Sequence, residues 1–470
     1  MASPRCATPD EVETAAEWVA SRGFRRVAVQ LPDEGLAQAW GLTRALDAAL
    51  ARRRHDAAVF VLGDTSAGSC CVDETAAAHA NADCVLHGGP TCLSRPSRLP
   101  VRLLLGDARE RVNVERLWED VERLAETDGV LLLLLVSDAR CDAAVRAVTW
   151  SARAEERLVT LEPTPIEMLP AGAAPDPAPP ATADELGTEV LGRRPRCARP
   201  EAPPRCDAVV YVGYDDAALT HVAMRFASSR LYLFDVSAAK SEQRAERHTL
   251  QTSRALAKRH AVVDRLRSSA NVFGVLVGTT AVRGYERALE TCRAMIAARG
   301  KRSYTFLVGK LNEAKLANFS LVVDAFVLVA CPLHSLVDAK TFHRPVITPF
   351  ELRAVLGLAD FFAAPYDTDF ARGLAGAESD AARAASEAAS EAASEAAQGA
   401  PAPDAAAVTT THPKHLALRY WSPAADAMAT ASFRGLEPSF EGVVPSKAAP
   451  GKLGVAAGYR SLSGGDGPPS

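Results

Sequence analysis

Ten cysteines occur in the chain, and three places hold them in a pattern that could do chemistry. These are Gly68-Ser-Cys70-Cys71-Val-Asp-Glu74, Thr91-Cys92-Leu-Ser94 and Val329-Ala-Cys331-Pro332. Each lies in a loop after an apolar, strand-like run, where a fold presents side chains rather than packing them away. Thiolates from such distant segments are the donors a soft metal or an iron–sulfur cluster needs. No tight C-x-x-C pair is present, nor three closely spaced cysteines, so spacing alone leaves ligation and simple packing both open. Adjacent cysteines point in different directions, so one of Cys70 and Cys71 is expected to coordinate. Cys84 and Cys292 fall inside apolar strand and helix patterns and read as core. Cys6, Cys197 and Cys206 lie in a terminus or a proline-rich stretch and carry little signal, and Cys141, opening a helix after Ser137-Asp138, is a weak candidate.

The elements that would position these loops alternate between helix and strand. Thr8-Pro9-Asp10-Glu11 supplies an N-cap, a proline at the first helical position and a capping-box glutamate, and Gly23 ends that helix. Arg26–Leu31 reads as a strand, Leu36–Arg53 as a helix and Ala57–Gly63 as a buried strand, the signature of parallel β-α-β units. One plan then recurs. Asp83-Cys-Val-Leu-His-Gly-Gly89, Asp207-Ala-Val-Val-Tyr-Val-Gly213 and Asp324-Ala-Phe-Val-Leu-Val-Ala330 each start with aspartate and end in small residues opening a loop. Each leads to a second apolar run, at Leu99–Leu103, Arg230–Phe234 and Arg344–Ile347. The expected fold is α/β, with three similar domains, each a mainly parallel sheet flanked by helices, around a central cleft.

The expected boundaries are 8–106, 107–240 with a Pro/Ala-rich loop at 162–206, and 241–374. A low-complexity linker over 375–412 and a C-terminal tail over 413–470 follow. The linker repeats Ser-Glu-Ala-Ala, stacking Glu387, Glu391 and Glu395 at helical spacing with no apolar stripe, so it is expected to be helical at most transiently. Cys92 and Cys331 fall at corresponding places in the repeat, while the second copy has Tyr214-Asp215-Asp216 there. Ligands of doubly wound domains bind at the carboxyl ends of strands, so these loops could meet at a shared centre with the second copy giving no thiol.

A length of 470 residues implies more than one core. A net charge of −4 argues against a non-specific nucleic-acid binder. The first residues lack an apolar leader, and the longest apolar run, Val130–Val136, falls far short of the ~20 residues that span a bilayer. The expected setting is the cytoplasm, with reduced thiols and no membrane or nucleic-acid partner. Weaker candidates read as structural: His79 and His87 beside Cys84, the Gly274–Thr280 turn, which lacks a full glycine pattern, and Lys310, Lys315 and Asn318, assigned to the surface.

Several stretches are similar to one family. Gly63–Glu74, Ala82–Gly88 and Cys92–Ser94 resemble the first domain of the diphthamide-biosynthesis family. Gly300–Phe306, Lys315–Phe319, Val327–Pro332 and Pro345–Leu352 resemble its third. Phe433–Pro438 and Gly454–Tyr459 resemble the tail of the eukaryotic subunit-2 branch. Catalytic members of that family place one cysteine from each of three α/β domains on a [4Fe–4S] cluster. That cluster cleaves S-adenosylmethionine and transfers its 3-amino-3-carboxypropyl group to a histidine of elongation factor 2. The resemblance implies that the second-domain cysteine would fall near Glu189–Gly192, where this chain continues Arg193-Arg194-Pro195 instead; Cys197 does not match. It therefore implies Cys71 (Cys70 as alternative), Cys92 and Cys331 as cluster ligands and no catalytic residue of its own. The implied role is an accessory subunit that helps a small electron-donor protein and its reductase reduce the cluster of the catalytic subunit 1. The alternatives are a scaffold with structural or vestigial cysteines, and structural zinc.

Overall fold

The computed structural model describes residues 5–386 except 64, 66–67, 95, 97, 128, 149–155, 164–192, 198–205, 249–251, 338–341, 375, 378, 381 and 384–385. The chain divides into compact units at Met1–Ala400 and Pro401–Ser470, and every described residue belongs to the first. The tail expected over 413–470 lies outside the described residues.

Three mainly parallel sheets, flanked by helices, make up the fold. The first contains β1 (Arg26–Gln30), β2 (Ala58–Leu62), β3 (Cys84–Gly88) and β4 (Val101–Leu104), in spatial order β2-β1-β3-β4. The second contains β5 (Leu133–Ser137), β6 (Leu158–Pro163), β7 (Arg193–Cys197), β8 (Ala208–Gly213), β9 (Arg230–Asp235) and β10 (Ala245–Arg247). The third contains β11 (Val272–Val277), β12 (Arg302–Leu307), β13 (Ala325–Val329) and β14 (Val346–Ile347), in order β12-β11-β13-β14. The middle order, β10-β9-β8-β5-β6-β7, contains the same parallel plan as β6-β5-β8-β9, with antiparallel strands β7 and β10 added at the two edges. β10 lies past residue 240.

The repeated aspartate has a physical reason. Asp83 Oδ2 accepts from the backbone N–H groups of Arg25 and Arg26 at 2.7 and 2.8 Å, where β1 begins. Asp207 Oδ2 does the same with Leu131 and Leu132 at 2.8 and 3.0 Å, and Asp324 Oδ2 with Asn271 and Val272 at 2.8 and 2.9 Å. Each aspartate's own N–H donates back to Arg26, Leu132 or Val272. Two donors at the entry of each central strand are thereby satisfied, and the register of the central pair is set once per repeat.

Strand alternation puts residues on two faces of each sheet. In the first, Val27, Val29, Cys84 and Leu86 pack under helices Pro9–Arg22 and Ala39–Arg52, while Ala28 and Val85 face the helix Glu74–His79. The Thr8/Glu11 capping box, Pro9 and left-handed Gly23 bound the first helix as expected. The second helix opens as a 3₁₀ segment, Asp33–Gln38, before the α-helix begins at Ala39.

Three expectations change. The strand read as buried over 57–63 is only partly covered, because β2 sits at the sheet edge with β1 as its partner. The insertion read as a loop over 162–206 contains β7, which pairs antiparallel with β6; its remainder at 164–192 and 198–205 lies outside the described residues. Pro195 suits β7 because that strand is an edge. The start of the linker is not free: Ala377, Ser379, Asp380, Ala382, Arg383 and Ser386 are helical. Ala377 is fully buried in the third core, and Asp380 pairs with Arg353 at 2.6 Å.

Candidate metal centre

The loops after β2, β3 and β13 bring four thiols together. Cys70, Cys71, Cys92 and Cys331 are all buried, and their sulfurs lie within 4.8 Å of one another. Cys70 Sγ is 3.5 Å from Cys331 Sγ, a contact across 261 residues of chain, and Cys71 Sγ is 3.8 Å from Cys92 Sγ. The two adjacent cysteines thus both face the group. Each carbonyl or N–H between them turns the chain tightly: Cys71 N–H donates to Gly68 O at 3.0 Å, and Cys92 N–H to Cys70 O at 3.2 Å.

Elements on both sides hold these loops. Gln30, fully buried at the end of β1, donates Nε2–H to Cys71 O at 2.8 Å and accepts Asp73 N–H at 2.7 Å. Asp73 caps the following helix through Ala76 N–H at 2.9 Å, and buried Glu74 accepts from the N–H groups of Arg98 and Leu99. On the other side, Ser335 Oγ donates to the carbonyls of Ala330 and Cys331 at 3.0 and 2.9 Å. Thr75 Oγ1 meets Thr280 Oγ1 at 3.3 Å, joining the first repeat to the turn after β11. That turn, Gly274–Thr280, serves here as a contact between repeats.

The thiols lie in the apolar core of the third sheet, beside Val329 and Ile347. There, Cys331 is held well below the ordinary thiol range because the thiols of Cys70, Cys71 and Cys92 donate to its sulfur. Cys70 and Cys71 are held well above it, first by their hydrogen bonds with Cys331 and then by burial. Such a group carries one thiolate readily and further ones only with a compensating cation. An all-sulfur donor set selects soft or borderline metal over magnesium or calcium. The donor set therefore fits an iron–sulfur cluster. Cys84 and Cys292 are core thiols as expected, each pushed up to about 12 by burial.

Comparison with known proteins gives the chain a family. Residues 31–366 match the family described as "Putative diphthamide synthesis protein". The chain belongs to the diphthamide synthesis family. It is 36% identical to 2-(3-amino-3-carboxypropyl)histidine synthase subunit 2 of Gallus gallus over 96% of this chain and 92% of that one. The subunit 2 of Bos taurus is 32% identical over the same shares, and that of Schizosaccharomyces pombe is 32% identical over 73% and 63%. Among solved structures, Dph2 from Pyrococcus horikoshii with a 4Fe-4S cluster has the same fold, with a TM-score of 0.50 and 16% identity over 76% of this chain and 92% of that one.

In this diphthamide-family chain the middle repeat places charge where the outer two place sulfur. Arg193, 1% exposed, donates to Ser137 O and approaches Asp142 at 3.2 Å; Ser137 Oγ also donates to Asp142. Arg140 forks onto Asp138 with both contacts at 2.9 Å and lies 4.3 Å from the centroid of the Tyr214 ring. Burial raises Asp142, whereas for Asp138 the Arg140 guanidinium outweighs burial and lowers it. Cys141 is buried beneath this network and its thiol is pushed far up. The segment Glu189–Gly192 lies outside the described residues.

Two histidines near the centre were not singled out by sequence. His334 Nδ1 lies 3.3 Å from Cys70 Sγ and 3.4 Å from Cys331 Sγ, and its hydrogen bond with Cys331 raises its pKa. Its position in Cys331-Pro-Leu-His334 was the available signal. His221, on the helix Ala217–Arg225, is 1% exposed; Nδ1 meets Thr368 Oγ1, and Nε2 has no hydrogen-bond partner among the described residues. Of the weaker candidates, His79 is exposed, His87 is buried with Nε2 3.2 Å from Pro90 O, and Lys310, Lys315 and Asn318 are on the surface. No helix among the described residues is long and apolar enough to cross a membrane.

Proposed function

We propose that this chain is the iron–sulfur subunit 2 of a heterodimeric synthase for the first step of diphthamide biosynthesis. In that step a 3-amino-3-carboxypropyl group passes from S-adenosylmethionine to a histidine of elongation factor 2. Cys71, Cys92 and Cys331 hold a [4Fe–4S] cluster, with Cys70 as the alternative to Cys71. A bound cluster supplies reversible one-electron transfer. The chain's own residues hold it: the loops after β2 and β3 supply the first-repeat thiolates, the loop after β13 supplies Cys331, and the apolar third core limits water. Electrons come from a small electron-donor protein and its reductase and go to the cluster of catalytic subunit 1, in the cytoplasm. The domain limits at 106, 240 and 374 belong to the same reading.

The observation that carries this reading is the meeting of Cys331 with Cys70, Cys71 and Cys92 in one buried group. A Cys71→Ala/Cys92→Ala/Cys331→Ala variant, paired with subunit 1 and assayed for modification of elongation factor 2, tests it. Loss of modification at normal subunit 1 levels supports the reading; full retention favours a scaffold. A second reading has its own observation. Zinc–sulfur bonds of about 2.3 Å place tetrahedral thiolates about 3.8 Å apart, and two sulfur pairs here stand at 3.5 and 3.8 Å. Metal analysis separates a zinc chain, redox-silent, from an iron–sulfur one.

A further inference from the structure

His334 sits at the edge where the four buried thiols meet solvent. The residue itself is exposed, but its Nδ1 turns inward, equidistant from a first-repeat sulfur and a third-repeat sulfur at 3.3 and 3.4 Å. Its backbone N–H donates to Cys331 O at 2.9 Å, which anchors the turn that aims the ring. The ring occupies space that only glycine leaves open: a Cβ on Gly68 would stand 2.2 Å from His334 Cε1 and 2.5 Å from Nδ1. Two loops from different repeats thus fit together around this imidazole. Sulfur bound to iron is an acceptor only, so the Nδ1 facing it is the donor, and the tautomer follows.

We propose that His334 donates its Nδ1–H to the sulfur of the cluster ligand Cys331, on the edge that faces Cys70, and sets the reduction potential of the cluster. The inference rests on the cluster reading above. Taking up one electron from an external one-electron donor makes the cluster one unit more negative, with no bond made or broken. A hydrogen bond to ligand sulfur stabilises the more negative state more, so it raises the potential. His334 acts through the sulfur and is a positioning and tuning residue, not a catalytic one. Its placement at the solvent edge makes the tuning group part of the surface an electron donor would approach.

The test is the midpoint potential of the anaerobically reconstituted full chain, followed by electron paramagnetic resonance during mediated titration. Three variants accompany the wild type. His334→Leu keeps the cover over the thiols but removes the donor; Gly68→Ala leaves the histidine but evicts its ring; His334→Asn restores an N–H near the position of Nδ1. The potential moves to more negative values in His334→Leu and in Gly68→Ala, and back toward wild type in His334→Asn, at equal iron and sulfide content. Equal potentials in wild type and His334→Leu overturn the inference and leave the cluster reading intact. A His334→Leu chain that takes up no iron beside a loaded His334→Asn chain also overturns it, assigning the histidine to retention. A wild-type chain that takes up no iron and sulfide overturns both.

Discussion

The outer repeats and the middle repeat share one backbone plan and differ at the same point of it. All three have the strand order second-first-third-fourth and an aspartate tying the third strand to the start of the first. Beyond the carboxyl ends of the central strands, the first and third repeats present thiols in an apolar core. The middle one presents the Arg193–Asp142 and Arg140–Asp138 pairs. The framework fixes where a loop emerges, and the loop's residues decide what is done there. A group of buried thiols can carry more than one negative charge only beside a compensating cation; the buried arginines already have their counter-ions. A centre with two contributing repeats and one closed repeat follows from that difference.

Several measurements can break or sharpen the contrast. The largest effect is expected from Cys71→Ala/Cys92→Ala/Cys331→Ala, which abolishes iron uptake on anaerobic reconstitution, whereas Cys141→Ala in the middle repeat leaves uptake at the wild-type level. Next, Arg193→Met leaves Asp142 buried without its guanidinium, and removing one member of a buried pair costs about 3–5 kcal/mol. Urea unfolding reads that loss, and iron uptake by the folded fraction stays unchanged; a matching loss of iron would mean that the middle repeat shapes the centre.

Another effect depends on pH. Burial pushes His221 down to about 3, against the opposing pull of Asp367 and with the help of Arg372 and Arg225. The unfolded chain binds a proton there near pH 6.5, the folded chain only near pH 3. The stability from neutral His221 is therefore complete above about pH 6.5 and falls toward pH 3 by up to about 1.4 kcal/mol per pH unit. His221→Gln lessens that slope in unfolding measurements across the window. Smallest are Asp83→Ala, Asp207→Ala and Asp324→Ala, each removing an acceptor shared by two strand-entry N–H groups. Each costs about 1–3 kcal/mol, and similar values at all three positions are expected of equivalent repeats.

The framework was legible because it rests on local patterns. The aspartate before each central strand, the alternating apolar runs and the Thr8 capping box are all written within a few residues. Cys92 and Cys331 could be matched because the repeat places both just past its third strand. The joint presence of Cys70 and Cys71 was not legible, because a tight turn at Gly68 and the Cys92 N–H bond to Cys70 O rotate both side chains inward. His221 and His334 gain their meaning from elements more than a hundred residues away, Thr368 for one and Gly68 for the other. β7 escaped notice because Arg-Arg-Pro-Arg-Cys has no apolar alternation; an antiparallel edge strand needs little. Ala377 looked like linker because alanine-rich sequence does not reveal that a core awaits it.

The central claim is that the first and third repeats together hold one redox centre while the middle repeat holds none. Its most direct test is iron, zinc and sulfide analysis of the anaerobically reconstituted wild-type chain, with electron paramagnetic resonance after reduction. The account predicts iron and inorganic sulfide in equal amounts and a paramagnetic reduced state, both lost in the triple cysteine variant. Zinc without sulfide and no signal on reduction would contradict it.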